Sequence, residues 1–210
     1  MVRVFIVDDH AIVRRGLTQI LAETEDLGFA GEADTAAQAV KLLRETECDV
    51  VLLDISLPDR NGIDLLKQLK REHPRLPVLV LSMHKDREFA LRALKGGAAG
   101  YLTKQSAPMQ LVDAIRHVSA GKRYITRSMA EEVADALAGD SGESPHNTLS
   151  DREYQTLCLI ASGKSLSGIA SELLISPKTV SVYRARILEK LKLKNNADIT
   201  RYAIRNQLVE

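Results

Sequence analysis

The sequence predicts an α/β fold, a doubly wound sheet of parallel strands, followed by a smaller all-α unit. Short apolar runs alternate with amphipathic helical stretches in the first half of the chain, among them FIVDD (5–9) and VVLLD (50–54). Such runs are typical of strands that are buried on both faces of a parallel sheet. Beyond residue 148 only helical periodicity remains. A hydrophobic content of 45% and a charged content of 27% are ordinary for a globular protein.

Five strands and five helices alternate along the first part of the chain. This order favours βα units wound on both faces of one parallel sheet. In the flavodoxin-like strand order 2-1-3-4-5, strands one and three are neighbours at the switch point where ligands bind. The predicted strands are 2–8, 29–33, 49–54, 77–82 and 100–103, and the predicted helices are 11–23, 35–46, 62–72, 86–95 and 107–120.

A segment rich in Gly, Ser and Pro, GDSGESPHN (139–147), predicts a boundary between two domains. We expect an α/β domain over 1–121, a linker over 122–147 with a helix near 127–138, and an all-α domain over 148–210. The last of these carries ten basic and six acidic residues, a net charge of +4. The rest of the chain carries 19 basic and 22 acidic residues, a net charge of −3. This asymmetry indicates that the all-α domain is the one that meets a polyanion.

Helix-start signals divide the all-α domain. Ser150 and Glu153 have the spacing of a capping box. Ser176 followed by Pro177 is typical of an N-cap and a first helical residue. The predicted helices are 151–162, 166–174, 177–191 and 196–206, and the short turn between the second and the third gives the layout of a helix-turn-helix.

Polar side chains stand where four predicted strands end. Asp8 and Asp9 end strand one, Asp54 ends strand three, and Ser82 and Lys104 end strands four and five. Because the carboxyl ends of parallel strands meet at one edge of a sheet, we expect these side chains to share a crevice. The sequence therefore predicts a site that holds a cation and a phosphoryl group together.

Carboxylates at this edge would repel each other unless a cation lies between them. Hard oxygen ligands of this kind suit Mg²⁺. We expect Asp8, Asp9 and Asp54 to hold the ion, and the backbone carbonyl of Ser56 to add a further ligand.

Asp54 is the expected nucleophile, because it ends the most apolar strand and a loop follows it. An ionised Asp can attack a phosphoryl donor and become an aspartyl phosphate. Lys104 would pair with the phosphoryl oxygens, and Ser82 would donate a hydrogen bond to one of them. Simpler interpretations exist for each residue taken singly: a helix cap, a strand-end turn residue or a solvated surface charge.

Residues 1–121 resemble the receiver domain of a two-component response regulator. The resemblance implies that Asp54 is the phosphoacceptor, that Asp8 and Asp9 form the acidic pair, and that Ser82 and Lys104 contact the phosphoryl group. The matching stretches are VDDH (7–10), LLDISLPDRNG (52–62), VLVLSMH (78–84) and GAAGYLTK (97–104).

Two positions next to the fifth strand add detail to this resemblance. Tyr101 matches the aromatic residue whose rotamer reports phosphorylation in the family, although an ordinary tyrosine at the edge of the core would also fit. Gln105 departs from the family, in which many members have Pro there after a cis peptide bond. The geometry of the Lys104–Gln105 peptide is open at this point.

The third helix of the all-α domain has the features of a recognition helix. Val180, Ile187 and Leu191 form an apolar stripe that faces the core. The rest of the helix is small and partly basic, which fits the major groove. The alternative is a helical bundle with a solvated basic face. The candidate DNA-binding residues are Lys178, Thr179, Ser181, Val182, Tyr183 and Arg186.

Residues 149–208 resemble the LuxR-type DNA-binding domain, through LSDRE (149–153) and IASELLISPKTVSVYRARILEKL (169–191). A receiver followed by this domain is the arrangement of the NarL/FixJ type of response regulator. Family members commonly have Lys at the position of Ser181, so the preferred DNA sequence is expected to differ.

The two resemblances imply a transcription regulator rather than an enzyme. A sensor histidine kinase would phosphorylate Asp54, and the protein would then dimerise and bind promoter DNA. Two alternatives are an aspartyl-phosphate phosphohydrolase and an adaptor whose helical domain binds protein or RNA. A third is a regulator that does not use phosphorylation. In the last helix Ile199, Tyr202 and Ala203 share a face, which either forms a dimer contact or closes the domain's own core.

Other features of the sequence predict a cytoplasmic protein that does not enter a membrane. No apolar stretch reaches 18 residues, and the N-terminus lacks the pattern of a signal peptide. Cys48 and Cys158 stand far apart in apolar contexts, as expected of buried thiols in a reducing compartment.

Overall fold

The structure, a computed structural model, describes residues 1–82, 87–126, 129–131 and 144–209. The chain divides into two compact units, Met1–Ala134 and Asp135–Glu210. Of the linker helix predicted near 127–138, only residues 129–131 are described, and they are helical. The rest of that helix lies outside the described residues.

The N-terminal unit is a parallel sheet with helices between its strands. Its strand order is β2-β1-β3-β4-β5-β6, which confirms the predicted order 2-1-3-4-5 and adds a sixth strand. The elements are β1 Val2–Val7, α1 Ala11–Ala22, β2 Leu27–Ala33, α2 Ala36–Leu42, β3 Val50–Asp54, α3 Gly62–Glu72, β4 Val78–Ser82, α4 Arg87–Lys95, β5 Gly100–Thr103, α5 Ala107–Ser119 and β6 Tyr124–Ile125.

The sixth strand is only two residues long, too short to leave a periodic signal in the sequence. Tyr124 pairs with Gly100, and Ile125 pairs with Tyr101, in parallel register. Gly100 permits this close approach, because a Cβ atom there would lie 2.5 Å from the Tyr124 carbonyl oxygen. The second helix also differs from its prediction: α2 ends at Leu42, and residues 43–45 continue as a turn.

The central strands are buried on both faces, as their apolar sequences predict. Every residue of β3 and β4 is buried. One face of the sheet packs against α1 and α5, whose core residues include Leu17, Leu21, Leu111 and Ile115. Strands enclosed in this way cannot shift singly, so their carboxyl ends hold fixed positions at one edge.

The C-terminal unit is helical and contains the predicted helix-turn-helix. A short 3₁₀ turn, Pro145–Thr148, precedes α6 Asp151–Ala161, α7 Leu166–Glu172, α8 Pro177–Lys190 and α9 Asn196–Arg205. Both hydrogen bonds of the Ser150–Glu153 capping box are present. The Ser176 side chain caps α8, whose first residue is Pro177.

One ion pair ties the start of α6 to the end of α8. Lys190 Nζ lies 2.6 Å from Glu153 Oε2 and donates to the Thr148 carbonyl oxygen at 3.1 Å. In α9, Ile199 and Ala203 are fully buried, and Tyr202 Oη lies 3.0 Å from His146 Nδ1. Of the two roles left open for this face of α9, burial favours closure of the unit's own core.

We expect Gly62→Ala to destabilise the N-terminal unit by about 1–3 kcal/mol, the usual cost of overpacking. A Cβ atom at this position would lie 2.2 Å from the Asp54 carbonyl oxygen and 2.7 Å from Ile55 Cα, so backbone would have to move. Urea unfolding followed by circular dichroism measures the change. Gly16→Ala is the matched control, because nothing lies within 4 Å of its Cβ and Ala is favoured there by about 0.5–1 kcal/mol. Equal effects of the two substitutions would contradict the steric argument.

Candidate functional site

Three carboxylates meet at the carboxyl edge of the sheet. Asp8 follows β1 and Asp54 ends β3, and these two strands are hydrogen-bonded neighbours. Both side chains are 1% exposed. Ligand atoms of Asp8, Asp9, His10 and Asp54 all lie within 4.8 Å of one another. The structure therefore brings the predicted acidic residues together.

Lys104 reaches the same crevice from the end of β5. Its Nζ lies 2.7 Å from Asp8 Oδ2 and 2.8 Å from Asp54 Oδ2, and it donates a hydrogen bond to the latter. The backbone N–H of Lys104 donates to the carbonyl oxygen of Ser82 at 2.8 Å. Ser82 is buried at the end of β4, so the predicted hydroxyl and ammonium also stand at this edge.

The backbone after β3 is held by several hydrogen bonds. The N–H of Ser56 donates to Asp54 Oδ1 at 3.2 Å, which orients the carboxylate. The Asn61 side chain caps α3 through the N–H of Ile63. Asp59 accepts from the N–H groups of Ala36 and Ala37, each at 2.9 Å, and so ties this loop to the start of α2.

Burial and charge act against each other in this crevice. Burial raises the pKa of Asp54 above its ordinary value; the Lys104 ammonium lowers it without offsetting the burial, and Asp8 raises it further. Burial alone would lower the pKa of Lys104, but the Asp54 and Asp8 carboxylates outweigh it, and the net shift is upward. Lys104 is therefore charged, while the ionised form of Asp54 is costly.

The donor set fits a hard divalent cation. Asp8 Oδ2 and Asp9 Oδ1 are both buried in the crevice. Their close neighbours are the Lys104 ammonium, at 2.7 Å, and the His10 ring, at 2.6 Å. Carboxylate oxygens that converge in this way can act as ligands of a hard cation.

Two contributors to this site were missed from sequence. His10 donates its backbone N–H to Asp8 Oδ1 at 2.9 Å, and its Nδ1 lies 2.6 Å from Asp9 Oδ1. Its position directly after the acidic pair is the signal that would have found it. Asp59 could not be found in this way, because its partners lie 22 and 23 residues away in sequence.

Two further predictions concern β5, namely the role of Tyr101 and the geometry of the Lys104–Gln105 peptide. Tyr101 lies in β5, and its side chain is buried. No cis peptide bond occurs in the part of the chain that the structure describes, so Lys104–Gln105 is trans.

The predicted recognition helix, α8, presents a mixed polar and apolar face. Lys178, Ser181, Val182 and Arg186 are exposed, whereas Thr179 and Tyr183 are partly buried. The Ser181 hydroxyl donates to the Pro177 carbonyl oxygen at 3.0 Å. Val180 and Ile187 are buried on the opposite side, as predicted.

Comparison with known families decides the identity of the chain. Residues 4–116 match the response regulator receiver domain, and residues 147–203 match the bacterial regulatory proteins of the luxR family. The chain is a response regulator of the NarL/FixJ type. Its receiver domain carries the carboxylate crevice, and its LuxR-type domain carries α8.

Relatives cover the response regulator along its whole length. GacA of Pseudomonas aeruginosa is 38% identical over 100% of this chain and 99% of its own. UvrY of Escherichia coli K12 is 36% identical over 99% of this chain and 96% of its own. A structure of RcsB from Salmonella enterica serovar Typhimurium is 29% identical, with a TM-score of 0.62 over 96% of this chain and 97% of that one. No described helix of the regulator combines the length and hydropathy of a membrane-spanning segment.

We expect Asp54→Asn to raise the free energy of unfolding of the metal-free protein at neutral pH. Because the pKa of Asp54 is higher in the folded state than in the unfolded chain, the parent loses stability as pH rises through the interval between the two values. The neutral amide avoids this loss, so the advantage of the variant should grow as pH rises above 3.8, the ordinary pKa of Asp. Urea titrations across pH, with a chelator present, measure it.

Asp49→Asn is the matched control with the opposite sign. Hydrogen bonds from Arg3 lower the pKa of Asp49, so its ionised form stabilises the fold at neutral pH and its loss should destabilise the protein. Stabilisation by both substitutions, or by neither, would count against the assigned electrostatics.

Proposed function

We propose that this response regulator accepts a phosphoryl group on Asp54 from a sensor histidine kinase, dimerises and binds promoter DNA through α8. The observation that carries the proposal is the Lys104 ammonium held between Asp8 and Asp54 at one sheet edge. Carboxylates and one ammonium so placed can hold a cation and receive a phosphoryl group.

Two hydrogen-bond donors, one on each oxygen, orient the Asp54 carboxylate so that it can act as a nucleophile. Oδ1 accepts from the Ser56 N–H, and Oδ2 accepts from Lys104. A lone pair on one of these oxygens attacks the phosphorus of the kinase's phosphohistidine and forms an aspartyl phosphate. The new P–O bond forms as the P–N bond breaks, and the histidine of the kinase leaves with that electron pair. The ammonium of Lys104 and the hydroxyl of Ser82 then contact the new phosphoryl oxygens, which concentrate negative charge.

Mg²⁺ is the proposed cofactor. Asp8, Asp9, Asp54 and the backbone carbonyl of Ser56 would hold it. When bound there, Mg²⁺ supplies positive charge that offsets the carboxylates and the phosphoryl oxygens.

Phosphorylation would shift the receiver between two populations rather than create a new fold. Ser82 and Lys104 would move toward the phosphoryl group. Because a backbone hydrogen bond joins Lys104 to Ser82, the ends of β4 and β5 would move as one. Tyr101 lies in β5, the strand that precedes Lys104. It is the proposed aromatic residue whose rotamer responds to phosphorylation.

The LuxR-type domain would read DNA with the exposed face of α8. Lys178 and Arg186 would bind phosphates or base edges, and Val182 would contact thymine methyl groups. Thr179, Ser181 and Tyr183 complete the proposed contact set.

Solved RcsB structures include dimers bound to DNA and a promoter complex formed in the presence of phosphomimetic BeF3⁻. Paired domains of this kind bind half-sites about one helical turn apart.

We assign no turnover chemistry beyond self-phosphorylation and, at most, loss of the phosphoryl group by autophosphatase activity. An aspartyl phosphohydrolase often needs a general acid two residues past its nucleophile, and Ser56 stands there. A chromogenic phosphate ester would reveal such activity. The proposed location is the cytoplasm, where kinase and promoter are both accessible.

We expect Asp54→Asn to abolish phosphoryl incorporation from acetyl phosphate in the presence of Mg²⁺, because the amide cannot attack phosphorus. Incorporation is measured by mass spectrometry of the intact protein. Asp113→Asn, which changes an exposed carboxylate on α5, should incorporate as the parent does. Persistent incorporation at normal stoichiometry in Asp54→Asn would refute the phosphoacceptor assignment.

We expect Lys178→Ala to weaken DNA binding and to reduce the slope of log K against log salt by about 1, as for loss of one phosphate contact. Fluorescence anisotropy over a salt series on promoter fragments measures both. Lys122→Ala removes the same charge from an exposed position of the N-terminal unit and should leave the slope unchanged. An unaltered slope in Lys178→Ala would remove that contact from the proposed interface.

A further inference from the structure

Arg14 connects three elements behind the carboxylate crevice. It lies on α1, and its Nη1 donates to the backbone carbonyl oxygen of Asp8 at 2.8 Å. Its Nε lies 3.2 Å from Oε1 of Glu32, on β2, and the Arg14 side chain is only 14% exposed. A guanidinium can make both contacts at once, because its donors form a rigid planar fork.

These contacts fix the backbone from which the acidic pair projects. The N–H of Asp8 donates to the Ala33 carbonyl oxygen at 3.1 Å, while its C=O accepts from Arg14. Both backbone polar groups of Asp8 are therefore held. With Oδ1 taken by the His10 N–H, Oδ2 is left facing Lys104.

The ion pair with Glu32 alone does not account for this arrangement. Glu32 is 44% exposed, and ion pairs between exposed groups contribute little to stability. The hydrogen bond to Asp8 is the contact with a chemical consequence, since it is charge-assisted and shielded. The side chain of the adjacent Arg15 is exposed and forms no hydrogen bond or ion pair with the described residues. A position on this turn of α1 therefore does not by itself give the contacts of Arg14.

We propose that Arg14 is a positioning residue, which holds Asp8 and Asp9 in the orientation that binds the divalent cation. It acts through the Asp8 backbone and touches neither the phosphoryl group nor the ion. The inference rests on the proposed function, because it concerns the same crevice. Groups that orient metal ligands in this way typically alter metal affinity 10- to 100-fold when they are removed.

The test compares Arg14→Met with Arg15→Met in the full-length chain. Methionine keeps most of the aliphatic stem and removes the guanidinium. Isothermal titration with Mg²⁺ should give a dissociation constant about tenfold higher for Arg14→Met than for the parent, the lower end of that range. The Arg15→Met value should equal that of the parent. Urea midpoints measured with a chelator should be similar for the two variants. A merely structural role of Arg14 would instead lower the midpoint of Arg14→Met below that of Arg15→Met.

A third variant separates geometry from charge. Arg14→Lys keeps the positive charge but lacks the fork, so the Mg²⁺ affinity should stay weakened. Full recovery with lysine would overturn the positioning role in favour of charge alone. If Arg14→Met does not fold, Arg14→Lys decides the question by the same titration.

Failure of the inference is distinguishable from failure of the proposed function. Mg²⁺ affinity in Arg14→Met that matches Arg15→Met, while the parent binds Mg²⁺ and is phosphorylated on Asp54, overturns the inference alone. A parent that binds no Mg²⁺ and takes no phosphoryl group overturns the proposed function, and this inference with it.

Discussion

A single ammonium between two buried carboxylates constrains the receiver domain. Lys104 can reach Asp8 and Asp54 together only if β1, β3 and β5 end at matching heights. The apolar strands secure that match, because most of their residues are buried in the sheet. A buried ion pair is weak evidence of stability, since desolvation opposes the Coulombic gain. Its value here is specificity, because it defines where three strand ends must meet.

Among the residues that the structure describes, three carboxyl groups face the ammonium of Lys104 in the crevice. Burial disfavours the ionised form of Asp54. Any group that brings positive charge, or that covers Asp54, changes this balance. Because the Lys104 backbone is hydrogen-bonded to Ser82, the change also reaches the end of β4. The same imbalance would therefore favour both the proposed cation binding and the proposed conformational response.

Much of the fold was predictable, because it depends on local patterns. Apolar runs identified four of the five predicted strands, and capping signals at Ser150 and Ser176 marked two helix starts that the structure confirms. The sixth strand was not predictable, since a two-residue strand carries no period. Strand ends also indicated which polar side chains would meet. The sequence could not show how the surrounding backbone is held, because Asp59 and Arg14 have partners at Ala36 and Glu32, which are distant in sequence and which folding brings near.

The short sixth strand has a consequence for communication along the chain. Tyr124 and Ile125 are paired to Gly100 and Tyr101, in the strand that leads directly to Lys104. The polypeptide that follows α5 is therefore hydrogen-bonded to β5 through the main chain. Any displacement of β5 would also move Tyr124 and Ile125, so a change at Lys104 would reach residues beyond the last helix of the receiver without any side-chain contact.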